Sequence, residues 1–161
     1  MLKKNIYIIL ETQVRELDSQ LLFSVFAVNR GYRVYIGSKY SLHNLIRRKK
    51  VKAGIYLVKG GILQKNYLLV SNKCDKHIVL DQEISQGFTD NDYYKILIKA
   101  RYFSEDVKYI DRFYCADNQI QKNAQKTLFK GKKALATGWP RIDLFRNQFK
   151  ILYEKKIISL K

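Results

Sequence analysis

Asn5-Ile6-Tyr7-Ile8-Ile9-Leu10 is an almost unbroken apolar run, rich in β-branched and aromatic side chains. A strand covered by helices on both faces needs such a run, whereas a half-exposed strand alternates apolar with polar residues. A polar break over Glu11 to Glu16 follows. From there Leu17, Leu21, Leu22, Val25, Phe26 and Val28 recur at helical spacing until Gly31 closes the helix. Tyr32 to Ile36 predicts a second strand, ended by Gly37-Ser38. Strand, helix and strand in this order form one right-handed βαβ unit of a parallel sheet.

Outward from this unit the same rhythm continues. Ser38 or Ser41 caps a helix carrying Leu42, Leu45 and Ile46, which ends in the basic run Arg47-Arg48-Lys49-Lys50. Ala53 to Val58 reads as the third strand, and Ile62-Leu63 with Tyr67 to Val70 as one short helix. His77 to Leu80 is the fourth strand, followed by a helix over Asp90 to Tyr102. Asp111 to Ala116 is the fifth strand. Asp117 or Asn118 caps a helix over Gln119 to Phe129, Lys133 to Thr137 is the sixth strand, and Ile142 to about Ser159 reads as mostly helical. The expected fold class is α/β: a Rossmann-like, doubly wound, mostly parallel sheet, forming a single domain over residues 1–161. In such sheets ligands bind beyond the carboxyl ends of the strands. Polar residues collect at those ends.

One turn is more specific than the rest. Thr137-Gly138-Trp139-Pro140-Arg141-Ile142-Asp143-Leu144 holds the only tryptophan and the only proline of the chain. Glycine tolerates a positive φ and proline suits a helix's first turn, so this octapeptide bends a strand sharply into a helix. Arg141 and Asp143 then sit in that first turn, facing each other or a cleft.

The bulk composition narrows the function classes. With 47% hydrophobic and 13% aromatic residues, the chain has enough apolar surface to fold. Its 31 Lys+Arg against 14 Asp+Glu give a net charge of +17, which attracts nucleic acid, an acidic membrane face or phosphorylated molecules. Abundant Lys, Ile, Asn and Tyr make a compositional origin of that charge an equal alternative. Cys74 and Cys115 lie far apart, as two ordinary buried thiols of a reduced, cytoplasmic protein. The apolar run after Met1-Leu2-Lys3-Lys4 ends at Glu11, too short for a signal peptide or a membrane span.

The first βα turn gathers Glu11, Arg15, Glu16 and Asp18 at a helix N-terminus. One of these carboxylates, held near Arg15, suits a general base or a ligand for sugar hydroxyls. The simpler reading is that the acids cap the helix and complement its dipole while Arg15 neutralises them. Asp81-Gln82-Glu83 forms a second acidic loop at the end of the fourth strand. His43, in a surface helix, and His77, at a strand start, read as structural. No dinucleotide fingerprint, Walker loop, catalytic triad or metal-ligand cluster is present, and Gly60-Gly61 is followed by Ile62 rather than Lys-Ser/Thr. The basic stretches lack any RNP-type motif or zinc finger, which argues against nucleic acid as a partner.

Several segments together resemble one family. Val14-Arg15-Glu16-Leu17-Asp18-Ser19-Gln20-Leu21-Leu22 and Gly31-Tyr32-Arg33-Val34-Tyr35-Ile36-Gly37-Ser38 are similar to the opening of surface carbohydrate (polysaccharide) biosynthesis proteins. Leu80-Asp81-Gln82-Glu83 resembles that family's Leu-Asp-Glu-Glu turn, although Gly87 stands later than the family's glycine. Thr137 to Leu144 resembles its Thr-Gly-Asn-Pro-Arg-Phe-Asp-Leu segment, with Trp139 in place of Asn; a related Gly-x-Pro-Arg-x-Asp turn occurs in teichoic-acid glycerophosphotransferases. The resemblance implies the N-terminal, acceptor-side half of a GT-B glycosyltransferase, an enzyme only when joined to a donor-binding half that residues 1–161 lack. It implies a nucleotide-sugar donor on that second half, a glycan or lipid-linked acceptor on this one, no bound metal or cofactor, and a cytoplasmic location compatible with peripheral contact at the anionic inner face of the membrane. Glu11, Glu16 and Asp18 become the catalytic candidates. Arg15, Ser38, Asp81, Glu83, Arg141 and Asp143 become the substrate-binding ones. The competing expectations are a non-enzymatic basic α/β module for nucleic acid or membrane, and a glycerophosphotransferase-like domain.

Overall fold

In the computed structural model, described for residues 4–48, 54–61, 69–70, 72–84 and 91–151, six parallel strands form one sheet in the order β2-β1-β3-β4-β5-β6. The strands are β1 (Asn5–Ile9), β2 (Arg33–Gly37), β3 (Gly54–Val58), β4 (Lys76–Leu80), β5 (Arg112–Cys115) and β6 (Ala134–Ala136). The helices are α1 (Gln13–Asn29), α2 (Lys39–Arg47), α3 (Asn91–Arg101), α4 (Asn118–Thr127) and the short α5 (Pro140–Asp143). From β1 the chain moves outward to β2, then crosses back over β1 to β3 and continues in sequence to β6. The connections therefore leave β1 and β3 in opposite directions. That reversal opens a crevice at the carboxyl ends of these two neighbours, the topological switch point of a doubly wound sheet.

Both sheet faces are apolar, as the opening run requires. All five residues of β1 are buried. On one face Tyr7, Ile9, Tyr56, Val58, Val79 and Phe113 pack against Leu42 and Ile46 of α2, Ile98 of α3 and Ile120 of α4. Phe113 stacks on Phe129 at 4.4 Å between ring centroids, and Tyr102 meets both rings edge-on at 5.4 Å. The other face carries Ile6, Ile8, Leu57 and Leu80 against Ala27 and Phe23 of α1. The doubly wound, parallel reading of the sequence thus holds.

The differences lie at ends. α1 begins at Gln13, four residues before the first periodic leucine, with Thr12 as its N-cap. Its first turn is polar because it borders the crevice, so apolar spacing alone misses it. His43 sits on the inner side of α2 and is 6% exposed, and its Nε2 hydrogen-bonds the Tyr56 hydroxyl. The predicted final helix over 142–159 is interrupted within its described part, residues 142–151. α5 ends at Asp143, Arg146 is extended at ψ 142°, and a single 3₁₀ turn follows at Asn147–Phe149. Pro140 does occupy the first turn of α5, and Gly138 takes φ +83° as the bend demands. Most of the short helix expected over 62–70, and the end of the last predicted helix, fall outside the described residues.

A candidate ligand crevice around Lys59

Lys59 is the first residue past β3 and stands at the switch point. Its ammonium lies 2.8 Å from Glu16, 3.0 Å from Glu83 and 3.1 Å from Glu11. These carboxylates come from α1, the loop after β4 and the loop after β1. β1 and β4 flank β3 in the sheet, which brings three distant chain segments to one point. The Lys59 side chain is 11% exposed and that of Glu16 is 4% exposed, so this ion pair is sheltered from solvent. Glu11 and Glu83 keep 44% and 36% exposure and face outward.

Glu16 is held from two sides. One oxygen accepts the Lys59 ammonium and the other accepts the Glu11 backbone N–H at 2.9 Å. Burial pushes its pKa up, but the Lys59 bond and the backbone N–H groups of Glu11 and Thr12 outweigh burial and leave it below the usual glutamate value. Burial likewise works against the Lys59 ammonium, and its bonds to Glu16, Glu83 and Glu11 reverse the direction and raise its pKa. Lys59 and Glu16 are therefore both ionised at neutral pH. Their geometry suits an anchor rather than a proton-transfer group.

A second cation closes the crevice. Arg101, the last residue of α3, donates to Glu83 at 2.9 Å and to Asp81 at 3.3 Å. Asp81 is fully committed to structure: its Oδ1 accepts the N–H groups of Glu83 and Ile84, and its Oδ2 accepts the Tyr102 hydroxyl. Glu83 has its pKa raised by burial but lowered further by Lys59 and Arg101, with a net depression. Gly60 and Gly61 make this approach possible, since a Cβ on Gly60 would stand 2.8 Å from Arg101 Nη2, and one on Gly61 would stand 2.4 Å from the Arg101 carbonyl. Glu11, Lys59, Gly60, Gly61, Glu83 and Arg101 line an open polar hollow.

The sequence candidates divide. Glu11, Glu16 and Glu83 converge on Lys59, and Arg15 lies 4.0 Å from Glu83 at the rim. Asp81 holds the floor of the turn. Arg141 donates to the Gln82 carbonyl at 3.1 Å and so ties the Gly-Trp-Pro-Arg turn to the acidic loop. Asp143 pairs with Arg146 at 2.7 Å rather than with Arg141. Ser38 caps α2 by accepting the Ser41 N–H at the end of edge strand β2, and Asp18 is exposed on α1; neither is among the residues around Lys59. Lys59 and Arg101 escape a sequence reading because each is one cation among 31, and only strand order reveals its partners. The one local signal was Gly60-Gly61 directly after a strand.

Among the described residues, no group of three or more His, Cys, Asp or Glu side chains is arranged to hold a metal ion, and no helix is long and apolar enough to cross a membrane. No family model, no curated protein and no solved structure matches this chain.

Proposed function

We propose that this chain is the acceptor-side domain of a glycosyltransferase that assembles surface polysaccharide, with its acceptor bound in the crevice around Lys59. The observation that carries the reading is the meeting of Glu11, Glu16 and Glu83 on one ammonium at the switch point of the sheet. Outward-facing carboxylates accept hydrogen bonds from hydroxyls, and Lys59, Arg101 and Arg15 donate to them. Alternating acceptors and donors over a few ångströms match a polyhydroxylated ligand better than a uniformly anionic one. Acids and arginines gathered at the strand ends also set this chain apart from a module whose function rests on its basic surface alone. The resemblance of the Arg15-Glu16-Leu17-Asp18, Leu80 to Glu83 and Thr137 to Leu144 segments to surface carbohydrate biosynthesis proteins supports the same reading, in which a nucleotide-sugar donor would bind a second domain.

Within this reading Glu16 serves as the anchor of Lys59. Glu11 is the carboxylate best placed to receive the proton of an acceptor hydroxyl, because it reaches the crevice and remains half-exposed. A panel of bacterial surface oligosaccharides tested for binding to the wild-type chain and to Glu11→Gln checks this. The expected result is selective binding by the wild type, weakened at least tenfold by Glu11→Gln. Retention of duplex DNA with a steep salt dependence, and no oligosaccharide binding, would replace the reading with a nucleic-acid module.

A further inference from the structure

Directly beneath Lys59 lies a narrow gap between α1 and the sheet, walled by Ile8, Leu57, Leu80, Gln20 and Gln82. Gln82 is 2% exposed and Gln20 is 4% exposed. Neither the Oε1 nor the Nε2 of Gln82 has a partner among the described residues, and the Oε1 of Gln20 has none either. A buried carboxamide without hydrogen bonds is unfavourable, and proteins rarely leave one bare without a reason. Here two line the same gap. The backbone beside Gln82 is rigidly fixed: Arg141 binds its carbonyl, and Asp81 binds the N–H groups of the next two residues.

We propose that Gln20 and Gln82 form a hydroxyl-reading subsite at the floor of the crevice, which takes one hydroxyl of a neutral sugar. This rests on the glycosyltransferase reading and adds to it the class of group recognised. A sugar hydroxyl both donates and accepts. It gives its proton to a carboxamide oxygen and takes a hydrogen bond from the Gln82 Nε2, satisfying atoms that are bare in the free protein. A carboxylate or a phosphodiester, which offers only acceptors at neutral pH, leaves both oxygens unmatched. The gap does not admit even a water molecule in this arrangement. Lys59 is the wall residue with a long flexible stem, so the hydroxyl enters as that stem swings aside while its ammonium stays on Glu16. Discrimination of this kind is steep, because a site built to bond a hydroxyl is left unpaired by an analogue lacking it.

The test uses the wild-type chain with isotope-labelled glutamine side chains, titrated with the methyl glycosides of glucose, galactose, rhamnose and N-acetylglucosamine and their singly deoxygenated analogues. The expected result is that at least one glycoside shifts the Gln82 side-chain amide signals, that one deoxy position abolishes the shift, and that Gln82→Met and Gln20→Met each weaken that glycoside at least tenfold. Circular dichroism of both variants checks that they are folded. Should glycosides bind with shifts at Gly60 and Gly61 only, while Gln82→Met binds equally and melts higher, the subsite is overturned and the crevice reading stands. If no glycoside shifts any signal at the crevice, both fall together.

Discussion

Lys59 concentrates the account at the scale of single residues. Removing one partner of a sheltered ion pair leaves the other charge uncompensated, which costs about 3–5 kcal/mol. Lys59→Met should therefore destabilise the chain by about that amount in urea unfolding, since Glu16 would remain buried and charged. Arg15→Ala, at the rim with 54% exposure and 4.0 Å from Glu83, should change stability by less than about 1 kcal/mol. Equal losses in the two variants would mean that Lys59 is no anchor. The buried histidines give a pH signature. Burial lowers His43 and His77 from 6.5 to about 4, so the unfolded chain binds more protons across that interval. Their contribution is complete above pH 6.5 and is lost as pH falls toward 4, where the depressed Glu16 and Glu83 carboxyls start to add their own loss. The melting temperature should fall steadily from pH 7 to pH 4.5; a flat profile would contradict neutral, buried imidazoles.

The alternation of strands with helical spacings was readable at the scale of elements because both periods are imposed by burial on two sheet faces. β1, β2, β3, β4, β5 and β6 all fall within a residue or two of the expected runs. The first turn of α1 was not readable, since Gln13 to Glu16 answer to a crevice rather than to a core. The expected final helix is interrupted within its described part, residues 142–151, because the apolar residues after Asp143 are spaced as a helix would space them while the backbone turns at Arg146. Half of the site was legible as acidic loops. The cations that organise it were not, because Lys59 lies 43 residues from Glu16 and Arg101 lies 20 from Asp81. The link between α5 and the acidic loop gives this scale its own prediction. Arg141→Ala removes the bond to the Gln82 carbonyl and should cost about 1 kcal/mol, with weaker ligand binding as the loop loosens. Gly138→Ala should cost about 1–2 kcal/mol from the positive φ alone, as no atom stands within 4 Å of the added methyl. Thermal melts of the two variants measure both.

For the molecule as a whole, the net charge of +17 and the ionic crevice are separate features. Lys122 and Lys126 lie on α4, away from Lys59, whereas the crevice balances Glu11, Glu16, Glu83 and Asp81 against Lys59, Arg101 and Arg15. A ligand steered by overall charge and a ligand recognised at the switch point would therefore mark different surfaces. The backbone amide signals of Gly60 and Gly61, followed while an oligosaccharide acceptor is added, separate the two most directly. The account predicts saturable shifts at Gly60, Gly61 and Lys59 that persist at high salt and leave α4 unmoved. Shifts confined to Lys122 and Lys126, vanishing as salt rises, would contradict it.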